Sequence, residues 1–214
     1  WNILEIANAD FTTTKGKEEM ARLLKKYERI DVVVSENDDM TFINLECTLK
    51  NSDEGEKSGK LYRFRGPTEY TEILKACSIE QVNIANNHFV DYQEKGKVST
   101  KNALREAGIP FSGYSQLYVW DVKGHRIGFA GVREQIYNQR PEIIAEETRK
   151  LRDQGCEVVI YSCHWGTEYS PEHNEKQIEM ASACAYAGVD IVIGNHPHVV
   201  QGVDRIGDTV GLWS

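Results

Sequence analysis

The chain has 214 residues, of which 40% are hydrophobic and 27% charged, and it carries a formal net charge of −8. A chain of this length buries about 70% of the surface its unfolded form exposes, so one sizeable core is expected, and the ordinary composition reads as soluble and globular. The acidic balance argues against a nucleic-acid partner, because phosphate contacts need clustered Lys and Arg.

Five cysteines are present, with no C-x-x-C pair. An odd number cannot all pair within one chain, and several lie in or beside apolar runs, so they read as structural thiols. No transmembrane run and no signal peptide is visible. The chain opens within one apolar run at Trp1 and stops within another at Ser214, so the expectation is one domain over residues 1–214, truncated at both ends.

In chain order, Ile3 to Ala9 reads as a first strand that delivers Asp10 at its end. Met20, Leu23, Leu24 and Tyr27 mark one face of a helix over Lys15 to Tyr27. Short strands follow at Asp31–Val34 and Met40–Leu45, the second running into Asn44-Leu-Glu46. Residues 50–60 are polar and glycine-containing, a surface loop. Gly66-Pro67-Thr68 opens a helix reaching about Cys77, with Thr68 as N-cap. A strand over Gln81–Ala85 delivers Asn86, Asn87, His88 and Asp91, and a helix around Val98–Ala107 comes next. Leu117–Asp121 and His125–Ala130 flank a hairpin turn. A helix over Pro141–Gln154 has Pro at its start and Gly155 just past its end. A strand running into His164, a helix over Asn174–Ala187 closed by Gly188, a strand running into His196, and a hairpin over Ile206–Val210 complete the chain. Strands alternating with helices through short turns form the α/β layout.

The chemistry collects at strand ends. Ile191 to Gly194 is a buried strand followed by His196-Pro197-His198, and Val158 to Cys163 runs into His164. Four of the six histidines, His88, His164, His196 and His198, sit in such places. Pro197 biases His196 towards extended geometry, in which residues i and i+2 point the same way, so both imidazoles are expected to face one point. Strand ends are where open α/β sheets bind ligands.

Two carboxylates (Asp10, Glu46), an amide (Asn87) and three imidazoles (His164, His196, His198) suit one or two divalent cations with mixed nitrogen and oxygen ligands. Mn, Fe and Zn all accept such a set. Two bridged cations activate water and stabilise charge on a phosphate ester. His88 is then the general acid, and Asp91 either holds it in position or caps the next helix. Asp10 is a ligand or a helix cap. Arg65 is a substrate-binding anion contact or a surface residue. Glu168 either orients His164 through its ring N–H or is a solvated loop charge.

Asn44-Leu-Glu-Cys-Thr-Leu49, Phe64-Arg-Gly-Pro67, Ala85-Asn-Asn-His-Phe-Val-Asp91, His164-Trp-Gly-Thr-Glu-Tyr169 and Gly194-Asn-His-Pro-His-Val-Val-Gln201 resemble, in order, the signature segments of the bacterial capsule-synthesis (CapA) family. That family is linked to poly-γ-glutamate and related to the calcineurin-like metallophosphoesterases. The resemblance implies a four-layer α-β-β-α sandwich, with Asn87 as metal ligand, His88 as general acid, and His196 and His198 each serving one metal. The sequence departs from the superfamily pattern at Ala9-Asp10-Phe-Thr, which lacks the first motif's glycine and histidine, and at Glu46, where an aspartate is usual. Fewer ligands are therefore expected for the first metal.

Two functions follow. One is a metal-dependent hydrolase of capsule or poly-γ-glutamate metabolism, acting on a phosphoester or a γ-glutamyl amide. The other is a non-catalytic accessory subunit that binds the anionic polymer beside membrane-bound synthesis subunits. The resemblance also implies an extracytoplasmic, cell-surface or membrane-anchored location.

Overall fold

The computed structural model describes residues 41–55 and 57–214. The elements expected over residues 3–34, and the candidate ligand Asp10, lie outside the described residues. Two main sheets organise the rest. The smaller is three-stranded and parallel, in the order β1 (Thr41–Asn44), β4 (Ile79–Asn83), β5 (Phe111–Ser112). The larger has six strands in the order β10 (Gly202–Ile206), β11 (Thr209–Trp213), β9 (Ile191–Asn195), β8 (Val158–His164), β7 (His125–Arg133), β6 (Tyr118–Val122). Its inner strands are parallel, and β6 and β10 close its edges as antiparallel partners. A two-stranded parallel pair, β2 (Thr48–Leu49) with β3 (Arg65–Gly66), lies apart from both.

Period-two patterning decides which way each strand faces. In β8, Val159, Tyr161 and Cys163 enter a core cluster with Ile144 and Leu151 of α4 (Ile143–Asp153) and with Met180 and Cys184 of α5 (Glu175–Ala187). Ile160, Ser162 and His164 therefore face the other way. In β7, Ala130 and Val132 join the same cluster. Phe129 instead stacks on Phe42 of β1 with ring centroids 5.9 Å apart. A second core joins Val82 and Phe111 of the smaller sheet to Ala103 and Leu104 of α2 (Gln93–Glu106). The chain is a mixed α/β protein in which parallel strands end together and side chains meet between the sheets.

Several boundaries differ from expectation for local reasons. The helix expected from Gly66 begins as a 3₁₀ turn (Thr68–Tyr70) and continues as α1 (Thr71–Ala76). Thr68 does not cap it through its side chain. The Asn51 side chain accepts from the Thr68 N–H at 2.7 Å instead. β4 ends at Asn83 rather than Ala85, because the Asn83 amide oxygen takes the Ala85 N–H at 3.1 Å and turns the chain. α2 starts at Gln93, five residues earlier than the apolar spacing implied. A short helix, α3 (Glu134–Gln139), follows β7 without having been anticipated. The remaining helices end as read: Asn174 and Gln177 form a reciprocal capping box, and Gly188 takes the left-handed cap of α5 at φ 83°. All five cysteines are free thiols.

Glu147 of α4 is a carboxyl inside the larger core. Its Oε2 accepts from the Tyr161 hydroxyl at 2.6 Å, and its Oε1 has no partner among the described residues. Burial raises its pKa above the usual carboxylate range, with the Tyr161 and Ser115 hydroxyls pulling it back in part. A carboxyl with a raised folded pKa contributes most below its unfolded pKa and loses that contribution as pH rises through the folded value. Glu147→Gln keeps the shape without the charge. At pH 8 it should raise Tm by roughly 2–4 °C, the shift that about 1 kcal/mol gives in a domain of this size, and at pH 4 it should leave Tm unchanged. A drop in Tm at pH 8 with none at pH 4 would show that the ionised carboxylate is needed as such.

Candidate metal centre

The smaller sheet supplies an oxygen-rich half of the site. Asn44 ends β1, and its Nδ2 donates to Glu46 Oε2 at 2.8 Å, which sets the carboxylate's orientation. Past β4, the fully buried Asn86 works as a hub. Its Nδ2 donates to Asn44 Oδ1 at 3.1 Å and to Leu45 O at 2.9 Å. Its Oδ1 accepts from the N–H groups of His88 at 3.1 Å and Phe89 at 2.9 Å. Four hydrogen bonds from one side chain thus tie the turn that presents Asn87 and His88 to the exit of β1.

The larger sheet supplies the imidazoles. His164 ends β8, and its Nε2 lies 3.0 Å from Asn87 Oδ1 and 3.6 Å from Glu46 Oε1. His196 and His198 follow β9. The expected extended geometry is wrong here: His196 has φ 103° and His198 φ 59°. The chain must leave the sheet at once, and it is pinned as it does so, with Pro197 O accepting from the Tyr169 N–H at 2.7 Å. Non-glycine residues adopt such φ values only where the surroundings impose them. The imidazoles converge through this bend. The His196 ring centroid lies 4.6 Å from that of His164 and 5.9 Å from that of His198.

Among the described residues, two groups of donor atoms lie mutually within 4.8 Å: Glu46 with His164 and His196, and Glu168 with His196 and His198. Burial, and then the neighbouring His196, Arg133, His198 and His88, hold the His164 pKa down to about 2. Burial lowers that of His196 as well, against the opposing pull of Glu168. Both rings are therefore neutral near pH 7, with a lone pair to give. Burial also raises the Glu46 pKa, which His198 and His88 counter. Glu46 Oε1, Asn87 Oδ1 and His164 Nε2 form a knot of lone pairs with at most one ring proton among them. A divalent cation relieves that repulsion, and the donor set fits one. Both groups use His196, so two cations would have to share it or draw on further residues.

Beside this knot, His88 Nδ1 lies 2.6 Å from Asp91 Oδ2. Asp91 is wholly buried and does not cap α2, whose N-cap position is Tyr92. Asp91 Oδ2 also accepts from the Phe64 N–H at 2.8 Å, Ser58 Oγ donates to Oδ1 at 3.4 Å, and Lys60 Nζ lies 3.3 Å from Oδ1. The Phe64 ring stacks on His88 with centroids 4.0 Å apart. The polar 50–60 loop and the segment after it thus fasten the His88–Asp91 pair.

Two expected roles change. Arg65 donates to the carbonyls of Lys50 at 2.8 Å and Asn51 at 3.3 Å and lies 3.8 Å from Asp53, so its guanidinium is occupied in pinning an exposed loop. Glu168 does not hold His164, whose Nδ1 has no hydrogen-bond partner among the described residues. It sits with His196 and His198 instead. Residues that sequence reading passed over include Asn44 and Asn86, both visible in the quoted motifs but mute about their partners. Glu134, whose Oε2 accepts the Gly166 N–H at 3.0 Å, had no motif to mark it.

The family of bacterial capsule synthesis proteins PGA_cap matches residues 27–214. The capsule biosynthesis protein CapA of Bacillus anthracis is 26% identical over 73% of this chain and 44% of its own length. The PGA biosynthesis protein CapA of Bacillus subtilis (strain 168) is 30% identical over 68% of this chain and 44% of its own length. The chain thus spans about half the length of these curated relatives. Among solved structures, the sulfate thiohydrolase SoxB of Thermus thermophilus, in complex with glycerol, matches 67% of this chain and 29% of its own, at 14% identity and a TM-score of 0.47. With the family match covering the five motifs and the whole described fold, the chain belongs to the bacterial capsule synthesis protein PGA_cap family.

Proposed function

We propose that this chain is a metal-dependent hydrolase domain of metallophosphoesterase type, working in capsule or poly-γ-glutamate metabolism at the cell surface. The observation that carries the reading is adjacency. A lone-pair cluster of Glu46, Asn87, His164 and His196 stands one residue from a buried His88–Asp91 pair. Hydrolysis of a phosphoester or a γ-glutamyl amide needs charge stabilisation at one oxygen and a proton for the leaving group, an oxygen in the ester and a nitrogen in the amide, and these two arrays divide that work. The face-to-face contact of Phe42 with Phe129, with helices packed beyond each sheet, supports a four-layer α-β-β-α arrangement over one domain.

When bound, a divalent ion (Mn, Fe or Zn) supplies Lewis acidity at the reacting oxygen. Glu46, Asn87, His164 and His196 would hold it, and a second would draw on His198 and Glu168. Asp91 fixes His88 Nδ1, which leaves Nε2 as the nitrogen that hands a proton to the leaving group. Desolvation keeps the His164 and His196 imidazoles uncharged and ready as donors. The relatives are named for capsule and PGA biosynthesis; on our reading the substrate is an anionic polymer and the partners are membrane-bound synthesis subunits.

Metal content by elemental analysis, joined to turnover of aryl phosphomonoesters, phosphodiesters and γ-glutamyl peptides, tests the reading. His196→Ala should lose metal. His88→Ala should keep metal and lose about 10²- to 10⁴-fold in rate, the usual worth of a positioned proton donor. Equal metal loss in the two variants would show that His88 is a ligand. Asp91→Asn should fall between wild type and His88→Ala in rate, with metal content intact; a rate equal to wild type would remove Asp91 from the machinery. Metal-loaded protein that binds polyglutamate and turns over nothing would make the chain an accessory subunit.

A further inference from the structure

The larger sheet delivers one cation to this cluster that the proposed reaction leaves unused. Arg133 closes β7 in extended conformation, at φ −95° and ψ 149°, and pairs in register with His164 at the end of β8. Register partners on neighbouring strands project from the same face, and side chains alternate along each strand. Val132 points into the helix-covered core, while a Cβ at Gly131 would lie 2.5 Å from Asn83 Oδ1 of the smaller sheet. Arg133 therefore projects, with His164, into the gap between the sheets. One of its terminal nitrogens donates to the Tyr114 hydroxyl at 3.3 Å, and that hydroxyl donates to Asn86 O at 3.1 Å.

Arg126, Arg140 and Arg152 each hold a carboxylate. Among the described residues no carboxylate lies within ion-pair distance of Arg133, and its field falls on the His164 imidazole. A guanidinium keeps its charge at any ordinary pH, and a half-buried one without a counter-charge is costly. A cation held by Glu46, His164 and His196 would add repulsion. An anion lying between the two positive centres removes both penalties, and a chain of net charge −8 needs local cations to attract one.

We propose that Arg133 receives the anionic group of the ligand, a phosphoryl or a carboxylate, at the strand ends beside the lone-pair cluster. This takes over the role expected of Arg65 and rests on the metal-centre reading for its second positive pole. The guanidinium fork matches either anion in two-point fashion, which an ammonium cannot do.

The test titrates inorganic phosphate and γ-glutamyl-glutamate by calorimetry into Mn(II)-loaded and metal-free protein. Arg133→Met should weaken the anion that binds by about 10- to 100-fold, the worth of a charge-assisted pair. Arg133→Lys should recover part of the loss, Arg65→Met should match wild type, and Mn(II) stoichiometry should stay the same in all three. Whichever anion shows the loss identifies the ligand group. Wild-type affinity in a folded Arg133→Met, or no affinity of wild type for either anion, overturns the proposal. Wild type that takes up no Mn(II) would sink the metal-centre reading separately, and the metal-free titrations would still decide the role of Arg133.

Discussion

The site depends on how closely β7 approaches β4. A Cβ at Gly131 would stand 2.5 Å from Asn83 Oδ1, closer than such atoms pack, and a tight 3.2 Å from Ser162 O. Only the absence of a side chain there lets the two sheets meet at their C-terminal ends. Glu46, Asn87 and His88 come from the smaller sheet's loops, and His164, His196 and His198 from the larger one's. Neither sheet alone carries a complete donor set. Asn83, which occupies the space Gly131 leaves, also donates to Asn44 Oδ1 at 3.2 Å, and Asn44 in turn orients Glu46. The contact that sets the spacing between sheets therefore reaches a carboxylate of the donor cluster through two amides.

Desolvation then decides what the cluster can do. An imidazole with a folded pKa of about 2, against an unfolded value of about 6.5, binds fewer protons in the folded chain. The fold thus loses stability from His164 as pH drops below about 6.5, and above that pH the ring is a neutral donor. The same burial that would penalise an imidazolium raises the Glu46 carboxyl. Both shifts press the cluster away from self-contained ion pairing, and a cation from outside satisfies both.

The strand ends were legible because chemistry-bearing residues followed apolar runs, and the Asn87–His88–Asp91 spacing carried over directly into contacts. What the sequence hid were consequences of tertiary geometry. The left-handed backbone at His196 and His198 opposes the local bias of Pro197 and comes from anchoring by Tyr169. Arg65 reads from sequence as an anion contact or a surface residue, and three loop groups occupy it. Arg133 ends an apolar run with no motif around it, and only its register with His164 brings it to the site. Glu168 lies four residues from His164 in sequence, but its loop turns it towards the neighbouring strand's histidines.

Asp91 and Glu46, two of the carboxylates at this site, differ in how many lone pairs remain open, and that difference separates their roles. Asp91 spends its oxygens on His88, the Phe64 N–H, Ser58 and Lys60, and its side chain is fully enclosed. A carboxylate has about four acceptor positions, so Asp91 has none left for a cation. Among the described residues Glu46 accepts one hydrogen bond, from Asn44 to Oε2, and its Oε1 faces His164 at 3.6 Å, beyond hydrogen-bond length. The saturated carboxylate orients a histidine and the unsaturated one offers itself as a ligand, an assignment that follows from counting donors before any function is considered.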